Sequence, residues 1–241
     1  MPKTILITGA SSGIGAATAR LLGADGWNVV LMARSAGKLA ALAAEIGPER
    51  ALATPGDVAE AGAAQRAVDA ALERFGTLDA AFCNAGLFAQ GSLADGDPED
   101  WARMVDVNVT GVLHTIRAAL PPMLARGAGD ILITGSIASR VVFGDSAVYG
   151  ATKHAVFALA DGLRQEVHDR GVRVSVVNPG KVANEIWGVT DEAEARRQAN
   201  AGIGLMSEDI AEAVRHLLSL PAHVNIPDML VLPSRLGVPG I

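Results

Sequence analysis

The chain has 241 residues, of which 50% are hydrophobic and 19% are charged. This composition argues against a disordered chain and predicts a domain with a large buried core. The 20 basic and 26 acidic residues give a net charge of −6 without a basic block, so no nucleic-acid partner is expected. The single cysteine excludes an internal disulfide framework, and five scattered histidines predict no metal site.

The sequence contains no apolar stretch of the ~20 residues that a membrane helix needs. Its first apolar run is broken by glycines and is too short for the core of a signal peptide. We therefore expect a cytoplasmic protein with no membrane partner.

Short apolar runs alternate with longer alanine- and leucine-rich segments along the chain. The strand-like runs are 3–8, 27–33, 51–54, 78–84, 130–135, 172–178 and 228–233, and the helix-like segments are 13–24, 37–46, 60–75, 99–124, 147–169 and 208–219. Several runs are apolar on successive residues, which is typical of parallel strands covered on both faces. The pattern predicts an α/β fold: a single doubly wound, Rossmann-type parallel sheet of about seven strands with helices on both faces.

No linker or internal repeat divides the chain, so we predict one domain over residues 1–241. Residues 181–206 lack a strand pattern and form a longer connection than is usual in a compact domain. Connections of this length are often lids, and we predict a substrate lid at about 183–206. Trp187 in this segment either covers a substrate or packs the lid onto the body.

A glycine-rich turn follows the first strand and precedes a helix, with the sequence Thr8-Gly9-Ala10-Ser11-Ser12-Gly13-Ile14-Gly15. The glycines let the backbone turn tightly and approach a ligand, and the helix N-terminus favours an anion such as a dinucleotide pyrophosphate. A turn of this kind that binds nothing is the alternative.

Tyr149 and Lys153 are four residues apart on a predicted helix, so both side chains lie on one face. A tyrosine with a pKa of ~10 is a poor base at neutral pH, and a neighbouring ammonium group lowers that pKa. The pair therefore suits acid–base chemistry, whereas a core tyrosine beside a surface lysine is the simpler alternative.

Several motifs occur in an order that resembles the short-chain dehydrogenases/reductases. They are the Gly9–Gly15 turn, Cys83-Asn84-Ala85-Gly86, Asn108, Ser136, the Tyr149/Lys153 pair and Asn178-Pro179-Gly180. The resemblance extends from residue 3 to about residue 235. Cys83, which ends an apolar run, is interpreted as an inert core thiol.

The resemblance implies four catalytic residues with separate roles. Ser136 would hydrogen-bond the substrate oxygen, and Tyr149 would donate a proton to it in reduction or remove one in oxidation. Lys153 would lower the pKa of Tyr149 and hold the nicotinamide ribose. Asn108 would lie in a helix kink and order a water molecule.

The glycine turn and the resemblance together imply a set of cofactor contacts. They come from Gly9, Ser11, Ser12, Gly13, Ile14, Gly15, Asn84, Ala85, Gly86, Tyr149, Lys153, Pro179, Gly180 and Val182. Asp57 and Val58 resemble the residues that contact the adenine in the family, although Asp57 could instead be the N-cap of a helix over 59–75. Asn184 stands where the family often has a threonine.

The end of the second strand indicates which nicotinamide cofactor is bound. Relatives that prefer NAD carry an acidic residue where this chain has Ala33, followed here by Arg34. Arginine can form a charge-assisted fork with a 2′-phosphate, to which Ser11, Ser12 and Lys38 could add. We predict NADP(H), with a solvated surface charge as the alternative for Arg34.

The C-terminal half resembles the branch of NADP-dependent serine and 3-hydroxy acid dehydrogenases and aldehyde reductases. This implies an oxidoreductase that interconverts a carbonyl and an alcohol, with a short hydroxy acid as one substrate. Arg140, Lys181, Arg196 and Arg197 are candidates to meet its carboxylate. A reductase of a bulky ketone, a polyol or sugar, or a 3-oxoacyl compound stays open, as does a non-catalytic NADP-sensing module. The resemblance also implies a homo-oligomer, most simply a tetramer.

Overall fold

The computed structural model describes residues 2–237, which form one sheet flanked by helices. The strands are β1 (Thr4–Thr8), β2 (Asn28–Ala33), β3 (Ala51–Pro55), β4 (Ala80–Cys83), β5 (Gly129–Thr134), β6 (Val172–Pro179) and β7 (Asp228–Val231). The helices are α1 (Gly13–Ala24), α2 (Ala36–Ile46), α3 (Ala63–Phe75), α4 (Pro98–Val105), α5 (Gly111–Arg126), α6 (Ala147–Val167), α7 (Glu192–Asn200) and α8 (Ser207–Ser219). No helix within the described range is long and apolar enough to cross a bilayer.

The seven strands are parallel and lie in the order β3-β2-β1-β4-β5-β6-β7. The predicted doubly wound sheet is therefore confirmed. The chain proceeds from β1 towards one edge of the sheet and from β4 towards the other edge. This reversal opens a crevice at the carboxyl ends of the strands, where such sheets bind ligands.

Alternate residues of the central strands pack on opposite faces of the sheet. Ile5 and Ile7 of β1 belong to the cluster covered by α1, α2 and α8, whereas Leu6 packs on the other face with Val68 of α3 and Ile116 of α5. Because both faces are buried, every residue of β1 is apolar or fully covered. Burial on two faces accounts for the unbroken apolar runs in the sequence.

Three segments differ from the sequence-based bounds. Helix α3 begins at Ala63, after Gly62 in a left-handed conformation (φ +83°), rather than at residue 60. The segment predicted as one helix over 99–124 is divided into α4 and α5 by a π-helical turn, Asp106–Thr110. The lid segment contains α7, which the sequence analysis did not predict.

Candidate active site

A cleft of about 680 Å³ opens at the carboxyl ends of the strands. Most of the residues singled out in the sequence lie in its wall. They are Gly9, Ser11, Ser12, Gly13, Ile14, Arg34, Asp57, Val58, Asn84, Ala85, Gly86, Ser136, Tyr149, Lys153, Pro179, Gly180 and Val182. Gly15 and Asn108 lie behind this wall.

The glycine-rich turn brings the N-terminus of α1 to the cleft. Gly9 and Gly13 have positive φ angles of +67° and +53°, which favour glycine. A Cβ atom on Gly15 would lie 2.4 Å from the Gly9 carbonyl oxygen, so Gly15 allows the helix to pack against the turn. The N-cap Ser12 makes no side-chain capping bond and the first turn has no acidic residue. This helix end is therefore suited to a bound anion.

Asn84 connects the ends of three strands beneath the cleft. Its Nδ2 donates to the Thr8 carbonyl oxygen (3.0 Å), and its Oδ1 accepts from the Thr134 hydroxyl (3.1 Å). The Thr8 hydroxyl accepts from the Asn84 backbone N–H at 3.0 Å. These bonds fix the ends of β1, β4 and β5 relative to one another.

Ser136 follows β5, and hydrogen bonds through Asn178 to Asp228 hold its backbone in place. Its backbone N–H donates to Oδ1 of the fully buried Asn178 at 2.9 Å, and Asn178 Nδ2 donates to Asp228 at 2.6 Å. The Ser136 hydroxyl accepts from the Ala138 N–H at 3.0 Å. Ser136 thus has a fixed backbone, while its hydroxyl faces the cleft beside Tyr149.

Tyr149 and Lys153 lie on one face of α6, as the spacing predicts. Lys153 is 5% exposed, and its Nζ donates to the Thr134 carbonyl oxygen at 2.8 Å. The same Nζ lies 5.7 Å from the centre of the Tyr149 ring. The two side chains therefore reach the same part of the cleft.

Burial dominates the ionisation of this pair. Loss of hydration lowers the pKa of Lys153 to about 8. Burial raises the pKa of Tyr149, and the interaction with the Ser136 hydroxyl opposes this shift without reversing it. The direction differs from the lowering that the resemblance implies, because desolvation of the phenolate is the larger effect. The phenol of Tyr149 is thus protonated at neutral pH and can act as a proton donor.

Asn108 lies in the π-helical turn and is buried behind the cleft. Its Oδ1 accepts from the Leu87 N–H (2.8 Å), and its Nδ2 donates to the Leu87 carbonyl (2.9 Å) and to Thr152 Oγ1 (3.2 Å). The amide therefore joins the loop after β4 to α6. A π-helical turn occupies the position where the resemblance implies a kink, and the role of Asn108 in ordering a water molecule stays a prediction.

The opposite end of the cleft carries Arg34, Lys38, Asp57 and Arg103. Asp57 accepts from the Ala59 N–H at 3.0 Å and from Arg103 at 2.5 Å. Partial burial acts to raise the pKa of Asp57, but these two bonds and the positive charges of Arg103 and Arg34 together lower it. Asp57 is not a helix N-cap, because α3 begins at residue 63.

The segment 183–206, predicted as a lid, leaves the body between two paired residues. Val182 and Leu205 form a parallel bridge, in which the Ala183 N–H donates to the Leu205 carbonyl at 2.8 Å. Asn184 then caps a short 3₁₀ turn, Glu185–Trp187, by accepting from the Ile186 N–H at 3.1 Å. Its Nδ2 lies 3.6 Å from the position of a Cβ on Gly13. Asn184 is therefore adjacent to the glycine turn.

The four cations considered for a substrate carboxylate lie outside the cleft wall. Arg140 is paired with Asp228. On the lid, Arg196 is paired with Glu192 at 2.8 Å and Arg197 with Glu194 at 2.6 Å. Lys181 lies close enough to Glu194 to help lower the pKa of that carboxyl. All four positive charges thus have acidic neighbours.

Sequence reasoning missed several residues of the wall, namely Leu87, Arg103, Thr134, Gly135, Glu185 and Ile186. It also missed Phe88, whose ring centre is 5.0 Å from that of Tyr149 and 5.1 Å from that of Trp187. The position of Phe88, two residues after the Asn84–Gly86 turn, is the signal that could have found it. Trp187 lines the cleft and its ring lies near that of Phe88, so covering a substrate and packing against the body both stay open.

Cys83 is buried at the end of β4, and desolvation raises the pKa of its thiol to about 12. This environment suits the core role predicted for it. Within residues 2–237, no group of three or more histidine, cysteine, aspartate or glutamate side chains could hold a metal ion.

The fold and the cleft define a dinucleotide-binding type of α/β protein, and the comparisons with known proteins narrow the class. The sequence pattern of the short chain dehydrogenases matches residues 3–195. The chain is 35% identical over 231 residues to an uncharacterized oxidoreductase of Staphylococcus aureus (strain MW2). The aligned region covers 96% of this chain and 97% of that protein. This chain belongs to the short-chain dehydrogenase family and is an oxidoreductase.

Two solved structures are similar over almost the full chain. An alcohol dehydrogenase from the archaeon Thermococcus sibiricus, complexed with 5-hydroxy-NADP, has a TM-score of 0.89 and 32% identity, covering 99% of each chain. The closed form of a serine dehydrogenase complexed with NADP+ has a TM-score of 0.87 and 31% identity, covering 99% of this chain and 98% of that chain. The expected resemblance to the family and to the serine dehydrogenase branch is confirmed.

Proposed function

We propose that the protein is an NADP(H)-dependent oxidoreductase that interconverts a ketone or aldehyde and an alcohol. One observation carries the proposal: Ser136, Tyr149 and Lys153 converge at one end of a cleft whose other wall is the glycine turn. A proton donor, a hydrogen-bonding hydroxyl and a buried cation thus share a site with an anion-binding helix end. The alternative of a non-catalytic NADP-sensing module does not require this convergence.

The residues present fit a nicotinamide dinucleotide. The uncapped N-terminus of α1 suits the pyrophosphate, and Ser11 and Ser12 add hydroxyl groups beside it. Gly86 lies beside Lys153, since a Cβ there would be at an ordinary contact distance of 3.8 Å from the Lys153 Nζ. Lys153 would hold the nicotinamide ribose, and Arg34 would meet a 2′-phosphate. The preference for NADP over NAD is supported by Ala33 in place of an acid and by the two NADP-type complexes among the similar structures.

In this proposal each catalytic side chain has a defined task. The cofactor, when bound, supplies or accepts the hydride. The Tyr149 hydroxyl donates a proton to the carbonyl oxygen in reduction and removes one from the alcohol in oxidation. The Ser136 hydroxyl hydrogen-bonds the same oxygen, and Asn108 holds the loop that carries Leu87 in place behind them.

Replacing Tyr149 by phenylalanine tests the proposal directly. The substitution keeps the buried ring and removes the proton donor, so folding and NADPH affinity should persist. Single-turnover reduction of an accepted carbonyl compound with saturating NADPH should slow by ~10²–10⁴, the usual effect of losing a general acid. A rate within about threefold of the wild-type rate, or roughly 0.65 kcal/mol, would show that another group supplies the proton.

Two further variants separate the roles. Ser136→Ala should reduce turnover but preserve NADPH affinity, since the proposed contact is with the substrate alone. Lys153→Met should reduce both, because one ammonium group serves the cofactor and the catalytic site. Equal losses of NADPH affinity in the two variants would contradict this division.

Residues 183–206 would act as the substrate lid, and the catalytic unit would be a cytoplasmic homotetramer, supported by the family resemblance. A short hydroxy acid is an alternative substrate class: the similarity to a serine dehydrogenase favours it, whereas the position of the four candidate cations outside the cleft wall does not.

A further inference from the structure

Three aromatic rings meet at the substrate end of the cleft. The Phe88 ring packs edge-on against Tyr149, with an interplanar angle of 84°, and lies at 30° to the Trp187 ring. Phe88 therefore contacts both the proton donor and the lid. Trp187 keeps 44% of its surface exposed while lining the cleft. The partly exposed indole of a residue that lines the cleft offers a surface that another aromatic ring would cover favourably.

The wall around these rings is also apolar. Leu87 and Ile186 line the cleft next to Phe88 and Trp187. The loop that carries Phe88 is tied to the loop before α6 by a bond from the Gly91 N–H to the Asp145 carbonyl oxygen, at 2.9 Å. This apolar wall is therefore held in place by backbone contacts that do not depend on the lid.

Charge at this end does not suit an anionic substrate. Among residues 2–237, Lys153 is the one cation of the wall near Ser136, and its ammonium group already donates to the Thr134 carbonyl. The other wall cations lie at the β2 and β3 end. Ser136 follows β5, and β5 is three strand spacings, or about 14 Å, from β2. These cations are therefore far from the oxygen that Ser136 and Tyr149 would contact. The four cations outside the wall are held near carboxylates, as described above.

We infer that the enzyme prefers a neutral carbonyl compound with an aryl group next to the carbonyl, and that Phe88 and Trp187 determine this specificity. The inference rests on the proposed function, because it concerns the compound that Tyr149 protonates. In reduction, hydride from the nicotinamide forms the new C–H bond, the carbonyl π electrons move to oxygen, and the Tyr149 proton forms the O–H bond. The products are a neutral aryl alcohol, the oxidised cofactor and the phenolate of Tyr149, which regains its proton from solvent.

Four probes separate the effect of the ring from the effect of charge. Methyl benzoylformate and benzoylformate share a phenyl ketone and differ in one negative charge. Methyl pyruvate and pyruvate differ in the same way but carry a methyl group instead of the ring. With NADPH and the wild-type enzyme, we expect kcat/KM to be highest for methyl benzoylformate and at least about tenfold lower for each acid than for its ester.

Variants assign the selectivity to the two rings and correct for the intrinsic reactivity of the probes. Phe88→Leu and Trp187→Ala should each lower kcat/KM for methyl benzoylformate by about tenfold, through KM, and leave methyl pyruvate within about threefold. Trp187→Phe, which keeps a ring, should recover most of the loss. Phe75→Leu is the matched control, because it makes the same change at the end of α3, far from the cleft.

Outcomes for specificity and for function are distinguishable. Three outcomes would overturn the inference and leave the proposed function intact. The first is a higher kcat/KM for the acids than for their esters, and the second is an equal loss on both esters in Phe88→Leu. The third is a raised KM for benzoylformate in Arg196→Ala. If none of the four probes is reduced but other ketones or aldehydes are, the inference is overturned and the proposed function stands. If no compound of a broad panel of ketones and aldehydes is reduced, the proposed function fails, and calorimetric binding of the four probes to the Tyr149→Phe variant with NADP+ still tests the specificity. Tighter binding of methyl benzoylformate would support it, and equal or weaker binding would refute it.

Discussion

The ammonium group of Lys153 lies where water is almost excluded, so its positive charge lowers the free energy of unfolding of the protein. Burial lowers its pKa to about 8, whereas an unfolded lysine has a pKa of ~10.4. Between these values the unfolded state binds more protons than the folded state, so the stability of the cofactor-free protein rises with pH across this window. The charge cost is fully present below pH 8 and is lost as the pH approaches 10.4.

This linkage predicts a pH-dependent difference between the wild-type protein and Lys153→Met. Relative to the variant, the wild-type free energy of unfolding should increase by roughly 3 kcal/mol between pH 7 and 10.5, since one pKa unit corresponds to 1.36 kcal/mol. Urea denaturation without cofactor at several pH values measures it. Lys3→Met, at the exposed surface, controls for the loss of one charge. A difference that is constant over this range would contradict the burial of a charged Lys153.

Arg34 is exposed at the end of β2, next to Ala33. Because position 33 carries no carboxylate, nothing there would repel a 2′-phosphate or bind the ribose diol in its place, and Arg34 would meet that phosphate. Arg34→Ala should weaken NADPH binding by about tenfold or more, as expected for a lost hydrogen bond to a charged group, and leave NADH affinity nearly unchanged. Fluorescence titration with both cofactors measures this. Arg215→Ala removes a different surface arginine as the control, and a wild-type preference for NADH would refute the assignment.

At the scale of elements, the sheet was predictable and the lid was not. The strands can be recognised in the sequence because burial on both faces makes them apolar on successive residues, as in β2. Helix α7 buries one residue, Ala195, so it has no apolar stripe to detect. Its signals are local: Asp191 caps its first turn, and Glu192 pairs with Arg196 one turn later.

The candidate site shows the same division between local and distant information. Tyr149 and Lys153 could be paired from sequence, because helical spacing alone places them on one face. The bond between Arg103 and Asp57 joins side chains that are 46 residues apart, and no local pattern encodes it. The raised pKa of Tyr149 also depends on packing, since burial by distant segments outweighs the neighbouring hydroxyl.

The lid is expected to respond to ligands as a unit. Its base is fixed by the bonds of Ala183 and Leu205, at 2.8 and 2.9 Å, whereas its outer part has few buried side chains. Saturating NADPH and a carbonyl substrate should slow amide hydrogen exchange in residues 184–204 and leave the base amides nearly unchanged. Helix α8 provides the internal control. Exchange that is equally slow with and without ligands would contradict a lid role.

At the scale of the whole molecule, sheet order separates two tasks. The ends of β2 and β3 carry the charged residues proposed for the adenosine part of the cofactor, and the ends of β5 and β6 carry Ser136 and the Pro179–Gly180 turn. Because β1 and β4 lie between them, the cleft places positive charge at one end and aromatic surface at the other. Cofactor preference and substrate preference can therefore change independently, through different residues.

Association of whole chains is the last expectation. Val105 at the end of α4 and Leu113 on α5 are 43% and 42% exposed. We expect this apolar helical region to pair with that of a second copy across a twofold axis. We expect light scattering at micromolar concentration to give the mass of four chains. Leu113→Glu places a charge in that contact and should shift the population to smaller species, with the fold retained by circular dichroism. Ile203→Glu, a similar change at an exposed lid residue, is the control. A wild-type monomer, or an unchanged tetramer in Leu113→Glu, would show that this helical surface does not mediate assembly.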